Sequence, residues 1–271
     1  MKTKVKPKLE EHILAHLTPE GDVLDLEGTN ITLEHVRLLC QAGETLGEVK
    51  QLYLSNNGLS NAEIEILSKS RCFQKLEKLF LNHNQIDNAG AKTLAKSKLI
   101  RNLNCLMLEA NRIGPEGAKS FAISLNLKKL ETLFLDSNPI GPEGAELLAK
   151  STCLPALTAL HLDNTGIGNR GVKAIAATQT LTGLKKLYLC SNKISDKGAI
   201  ALAQSPNLKN LNCLSIWRNE IRDSGGKAIA ESQYLVKLER LYMSLNLIDK
   251  PVRKMIRSSE LASRLKTLVM D

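Results

Sequence analysis

Aromatic residues are scarce in this sequence: nine among 271, or 3%, and a single tryptophan. Any core must therefore be aliphatic, and the material is there, since 43% of the residues are apolar. Long apolar runs are absent, and none approaches the ~20 residues of a membrane-spanning helix. The opening MKTKVKPKLEEHILAHL is basic but lacks a continuous apolar segment and a small-residue cleavage site, so it does not read as a secretory signal. Cysteine is thin as well. Cys40, Cys72, Cys105, Cys153, Cys190 and Cys213 form no CxxC or CxH pair at metal spacing. Scattered thiols in a chain this long fit a reducing compartment better than a disulfide framework. No P-loop, Ser/His/Asp spacing or zinc signature is present. The expectation is a non-enzymatic, cofactor-free and metal-free monomer in a cytosol-like setting.

Positive charge is plentiful, at a net +9 with a pI near 9.2. Such a balance suits nucleic acid or an anionic surface. The excess lysines, however, fall in stretches such as KSKLIR, NLKKL and GLKKL, outside the alternating segments described next. That placement predicts a solvated exterior, with no nucleic-acid or membrane partner.

What the sequence has in abundance is itself. LFLNHNQI (79–86), LMLEANRI (106–113) and LFLDSNPI (133–140) are one phrase returning every 27 residues. Aligned on LxxLxLxxNxI, units begin at Gly21, Val49, Leu76, Leu103, Leu130, Leu157, Leu184, Leu211, Leu238 and Leu265, with a first spacing of 28 and 27 thereafter. The first half of each unit alternates apolar and polar residues, the period of a short strand. The Asn column, Asn57 to Asn246 with Thr at 29 and 165, supplies donors and acceptors for backbone leaving the strand. The second half is helical: GPEGAKSFAISL (114–125) and GPEGAELLAKS (141–151) open on Pro and Glu. Asp87, Asp196 and Asp223 take the early acidic place elsewhere, favourable at a helix N-terminus. Glycines at 90, 117, 144, 171, 198 and 225 predict close approach of helix to sheet.

Parallel strands stack ~4.8 Å apart, whereas helices need roughly 10 Å each. The stack must curve, strands inside and helices outside, into an α/β horseshoe solenoid. Its predicted extent is residues 21–271, nine full repeats plus a terminal strand, with 1–20 as an N-terminal cap built on an amphipathic helix over Lys8–Leu17. These motifs resemble the leucine-rich repeat family, ribonuclease-inhibitor-like class. The resemblance implies a right-handed α/β solenoid with a concave parallel sheet, and it reaches members as different as ribonuclease inhibitor, the Ran GTPase-activating protein, innate immune sensors and secreted bacterial effectors. The near-identical repeats resemble a bacterial member most. For such an effector the site of action is inside a host cell and the partner a host protein.

The variable letters carry recognition. Positions 3, 5 and 7 of each unit are expected to face the concavity. Six of the nine aromatics lie at positions 5 and 7: Tyr53, Phe80, Phe134, Tyr188, Trp217 and Tyr242. Tyr and Trp favour interfaces, although cross-strand packing alone also places aromatics side by side. Glu109, Asp136 and Asp163 stand on successive strands, where like charges repel and a basic partner relieves them. Met107 and His161 complete the predicted surface. His161 with Asp136 and Asp163 is also weighed as a metal or acid–base cluster, the lesser reading. The function expected is protein binding on the concave face; the alternative is a GTPase-activating regulator like the Ran activator.

Overall fold

The computed structural model describes Glu11 and residues 13–271. Ten three-residue strands line up in chain order: β1 Val23–Asp25, β2 Gln51–Tyr53, β3 Lys78–Phe80, β4 Cys105–Met107, β5 Thr132–Phe134, β6 Ala159–His161, β7 Lys186–Tyr188, β8 Cys213–Ser215, β9 Arg240–Tyr242 and β10 Thr267–Val269. Every adjacent pair is parallel, and equivalent residues face each other, as Leu79 faces Leu106 and Leu106 faces Leu133. Between them run α1 Leu33–Gln41, α2 Asn61–Ser68, α3 Asn88–Lys96, α4 Pro115–Ala122, α5 Gly141–Ala149, α6 Gly168–Ala176, α7 Asp196–Ala203 and α8 Asp223–Ala230. Two helices, α9 Lys250–Arg257 and α10 Glu260–Arg264, lie between β9 and β10. The leucines at positions 4 and 6, such as Leu79 and Leu81, are fully buried against the Ala/Leu face of the helices, as the alternation predicts, except Leu268 on the last strand, which is partly buried. No helix among the described residues is long and apolar enough to cross a membrane.

Burying this much backbone beyond the strands requires partners for its polar groups. Three lines of side chains supply them, each linking one unit to the next. The Asn column is the first. Asn138 Nδ2 donates to Leu108 O (2.8 Å), Leu135 O (3.1 Å) and Asp136 O (3.2 Å), and its Oδ1 accepts from Ile113 N (2.9 Å). Thr165 breaks the pattern as its short side chain must: its hydroxyl donates to Leu162 O and reaches no further back. Ile140 N turns to Asn138 O instead, and Gly141 takes φ +64, whereas Gly114, opening the same GPEG phrase, has φ −99. The second line is a Ser/Thr column behind the helices. Ser124, Ser151 and Thr178 donate to the carbonyls of Ala95, Ala122 and Ala149 at 2.6 Å, capping the last turn of the preceding unit's helix. The third line joins helix N-termini. Asn88 Oδ1 accepts from Gly114 N and Gly117 N, and Asp196 Oδ1 from Arg222 N and Gly225 N. Asp196, expected to serve its own helix, thus caps the next one; Asp87 accepts from Ala89 N at the start of α3 itself.

The glycine column also needs a different reason from the one expected. A Cβ on Gly171 would lie 2.7 Å from Ile167 Cβ and 2.9 Å from Ala145 Cβ. The close approach is of helix to neighbouring helix, over the unit's own Ile, and not of helix to sheet. At the start of the stack, Leu17 pairs antiparallel with Leu24, and Thr18 N and Asp25 N bond Val23 O and His16 O across the same edge. That covers the first strand's free edge. Of the helical cap expected over Lys8–Leu17, residues 8–10 and 12 lie outside the described residues; Glu11, Ile13 and Leu14 are helical, and the segment ends in the Leu17 bridge.

Candidate functional site

The position-5 side chains stand on the concave face and lean on one another. Tyr53 and Phe80 stack at 3.9 Å with planes 6° apart. Phe134, His161 and Tyr188 form a three-ring pile across β5, β6 and β7, with centroids 3.7 and 4.0 Å apart. Met107 lies between the two groups, and Tyr242 stands beyond Ser215. All these rings are half-buried. Cross-strand packing therefore accounts for part of the aromatic enrichment, and part of each ring remains exposed. Tyr188 Oη accepts from Cys213 Sγ at 3.6 Å, and burial raises the phenol's pKa.

The same burial, with help from Lys186, lowers the His161 pKa to about 4. Clamped between two rings and neutral at physiological pH, His161 is part of an apolar strip and a poor proton shuttle. Among the described residues no group of three His, Cys, Asp or Glu is placed to hold a metal ion.

Position 7 departs from expectation. The strands end at position 5, so the next side chain but one is free to turn along the sheet onto the following unit. Ser55 Oγ accepts from Asn82 N, Asn82 Oδ1 from Glu109 N, Asp136 Oδ1 from Asp163 N and Asp163 Oδ1 from Cys190 N. The two aspartate bonds are 2.7 Å. Asp136, read from the sequence as an exposed acid, is only 8% exposed. Burial raises its pKa to about 7 against the bond from Asp163 N, with Asp163 and Glu109 adding repulsion. Asp163, half-buried, is raised for the same leading reason. Glu109 is half-buried. The repulsion foreseen between these acids is thus relieved partly by a proton. Cys190 continues the line toward Ser215 at 3.0 Å, its thiol pushed up to about 11 chiefly by burial. All six cysteines are free thiols.

Between the terminal units, whose position-7 acids Glu27 and Asp271 are exposed, Trp217 is the exposed side chain at position 7. It is 42% exposed, and the following unit carries two further exposed apolar side chains, Leu245 (54%) and Leu247 (50%). Sequence reasoning missed those two leucines, although the repeat itself marks them. The position of Leu245 reads Asn56, His83, Ala110, Ser137, Asn164, Ser191 and Arg218 in earlier units; that of Leu247 reads Gly58, Gln85, Arg112, Pro139, Gly166, Lys193 and Glu220. Leu245 moreover holds φ +52, a left-handed conformation that bulky side chains disfavour.

In-register parallel strands, alternating helices and unit-to-unit polar ladders define a stacked-repeat α/β solenoid. A family model described as Leucine Rich repeat matches residues 74–95, 100–122, 126–149, 154–176, 181–203 and 207–230, together 139 of the 271 residues. The chain belongs to the leucine-rich repeat family, whose repeat domains are generally protein-binding scaffolds and typically non-catalytic. No curated protein matches it.

Proposed function

We propose that this leucine-rich repeat protein is a non-enzymatic recognition module that, as a monomer, grips a folded partner on its concave face, over the fourth to eighth units, those that begin at Leu103, Leu130, Leu157, Leu184 and Leu211. The observation that carries the reading is a single strip: the pile Phe134–His161–Tyr188 runs toward Trp217, half-open along its length, above the acids Glu109, Asp136 and Asp163. Tyr53, Phe80, Met107 and Tyr242 extend the strip on either side. A basic patch on the partner fits the acids, and it does more than cancel charge. A cation arriving beside Asp136 favours the carboxylate, so docking at neutral pH releases a proton and weakens as pH falls below about 7.

The helix-bearing 27-residue unit supports a ribonuclease-inhibitor-like subclass. The uniformity of the repeats supports a bacterial effector acting on a host protein; the alternative setting is the cytoplasm of its own cell.

The test is capture of partners from candidate host lysates with the wild-type chain and with Tyr188→Ala/Trp217→Ala. Binding rates are then measured on the captured partner at low and moderate salt. Trp217→Ala should speed dissociation about thirtyfold, as the loss of ~2 kcal/mol from a hot spot implies. Glu109→Lys should slow association and reduce its salt sensitivity. If both leave the rates unchanged while Lys→Glu changes on the helices abolish binding, the working face is the convex one. If the captured partner is a GTPase whose hydrolysis the chain accelerates, the non-enzymatic reading falls.

A further inference from the structure

The repeat is its own control for what its solvent-facing positions normally hold, and one unit on the helical side breaks the rule. The two residues flanking the helix-capping serine read Lys96 and Lys98, Lys150 and Thr152, Ala177 and Gln179, Gln204 and Pro206, and Glu231 and Gln233 in the neighbouring units. Around Ser124 they read Ile123 and Leu125, which are 65% and 73% exposed. Neither can be assigned to the core, because Phe121 and Leu127 already fill the buried positions of that unit. The pair forms one wall of a groove of about 330 Å³ between the C-terminal ends of α3 and α4. Its other wall carries Lys92 and Lys96, one turn apart on α3. No acidic residue lines it, and neither lysine makes an ion pair among the described residues. Its volume lies at the small end of the ~300–1,000 Å³ typical of binding pockets.

We infer that this groove is a second docking site, on the convex edge and separate from the concave face, for an acidic amphipathic segment of a partner protein. Aliphatic side chains of the segment lie between Ile123 and Leu125 and the α3 wall, and its carboxylates pair with Lys92 and Lys96. Apolar walls with a one-sign cationic rim select that chemistry over a neutral or basic segment, because a basic segment would bring like charges together.

The experiment is selection of a random displayed peptide library on the full chain, with counter-selection on Ile123→Lys/Leu125→Thr. That variant carries the residues the next unit uses at these positions, so its fold is kept, as circular dichroism checks. The expected pool binds the wild type alone and carries Asp or Glu beside paired aliphatic residues. A synthetic member of the pool should lose at least tenfold in affinity on Lys92→Glu/Lys96→Glu, weaken with added salt, and bind Tyr188→Ala/Trp217→Ala unchanged. That last arm separates this site from the concave one. A pool insensitive to the variant, or one without acids, overturns the proposal. So does a wild-type dimer in sedimentation that the variant abolishes, which makes the occupant a second copy. Binding to phosphatidylserine vesicles lost in the variant, with no peptide selected, makes it a membrane and overturns it equally.

Discussion

Replacing Asn138 by alanine tests the central claim about what holds the stack together. The side chain is 1% exposed and makes four hydrogen bonds. Not all four groups are stranded by its removal. Leu108 O still accepts from Asn111 Nδ2 (3.0 Å), and Asp136 O from Ala110 N (2.9 Å). Two groups have no such reserve. Ile113 N loses its acceptor, and Leu135 O loses its donor because Thr165, unlike an asparagine, turns its hydroxyl to Leu162 O. A buried polar group left unsatisfied costs about 1–3 kcal/mol. Two give ~2–6 kcal/mol, and water entering the vacated space brings the sum toward the lower end, near 3 kcal/mol. In a chain of this size each kcal/mol moves the midpoint by roughly 2–4 °C, so the melting temperature should fall by about 6–12 °C. Far-UV circular dichroism on heating and in urea measures it, with Asn246→Ala as the internal control. Asn246 has equivalent bonds but is half-buried, so water can replace them and the loss should be smaller. Equal losses at the two positions, or an unchanged midpoint for Asn138→Ala, would show that the column is not the buried connector described here.

Three further outcomes follow from the same geometry. Thr165→Asn should raise stability by about 1 kcal/mol, since the longer side chain can donate to Leu135 O and accept from Ile140 N; a fall in the melting temperature would contradict it. Gly171→Ala should lower stability by about 1–3 kcal/mol through the contacts with Ile167 and Ala145, although Gly→Ala in an open helix gains ~1 kcal/mol; a stabilised variant would show that the helices can move apart. Asp136→Asn should matter only at higher pH. The native carboxyl binds its proton up to about pH 7 and the unfolded one only to about 4, so the native side chain loses stability as pH rises through that window. His161 has the opposite sign: neutral in the fold to about pH 4, it withdraws stability as pH falls below about 6.5. Asparagine keeps the acceptor for Asp163 N, so Asp136→Asn should equal the wild type near pH 4 and exceed it at pH 8, by at most ~4 kcal/mol across the window from about pH 4 to about pH 7. Urea titrations across pH that show a constant difference would refute the assignment.

The sheet was legible because its signal is direct: Leu and Asn recur at one spacing, and that spacing is the distance between residues that face each other across the strands. The aromatic column was legible for the same reason, and its stacking followed from the strand spacing. What could not be read was where the pleat stops. Alternation carried to position 7 puts Asp136 in solvent, yet the strand ends two residues earlier, and the side chain turns onto the next unit's N–H. The Ser/Thr column was missed because a serine after an alanine-rich helix looks like any helix end; only its recurrence at 97, 124, 151, 178, 205 and 232 sets it apart. The helical glycines were seen, but sequence alone does not say which neighbour comes close. Ile123, Leu125, Leu245 and Leu247 belong to variable columns, which keep no one residue type, so the pattern that marks the core carries no signal for them and only their departure from their own column does.

The three polar lines also determine how a molecule of this design can change length. Each bond in the Asn line joins residues a nearly fixed distance apart in sequence: Asn84 Nδ2 to Leu54 O and Asn138 Nδ2 to Leu108 O both span 30 residues. Gain or loss of a whole 27-residue unit leaves every such bond available to a new neighbour. Gain of a single residue does not, unless it falls where none of the lines passes. The first unit shows where that is. Its spacing is 28, and Asn57 Nδ2 still reaches Leu26 O at 2.8 Å, now across 31 residues. The segment that differs is the turn between α1 and β2, a four-residue 3-10 helix at Gly43–Leu46 where the later ones, Lys98–Ile100 and Pro206–Leu208, have three residues. That returning turn takes up an extra residue with the Asn line intact, whereas a segment crossed by the three lines keeps its bonds only when the chain is edited in whole paragraphs of its own text.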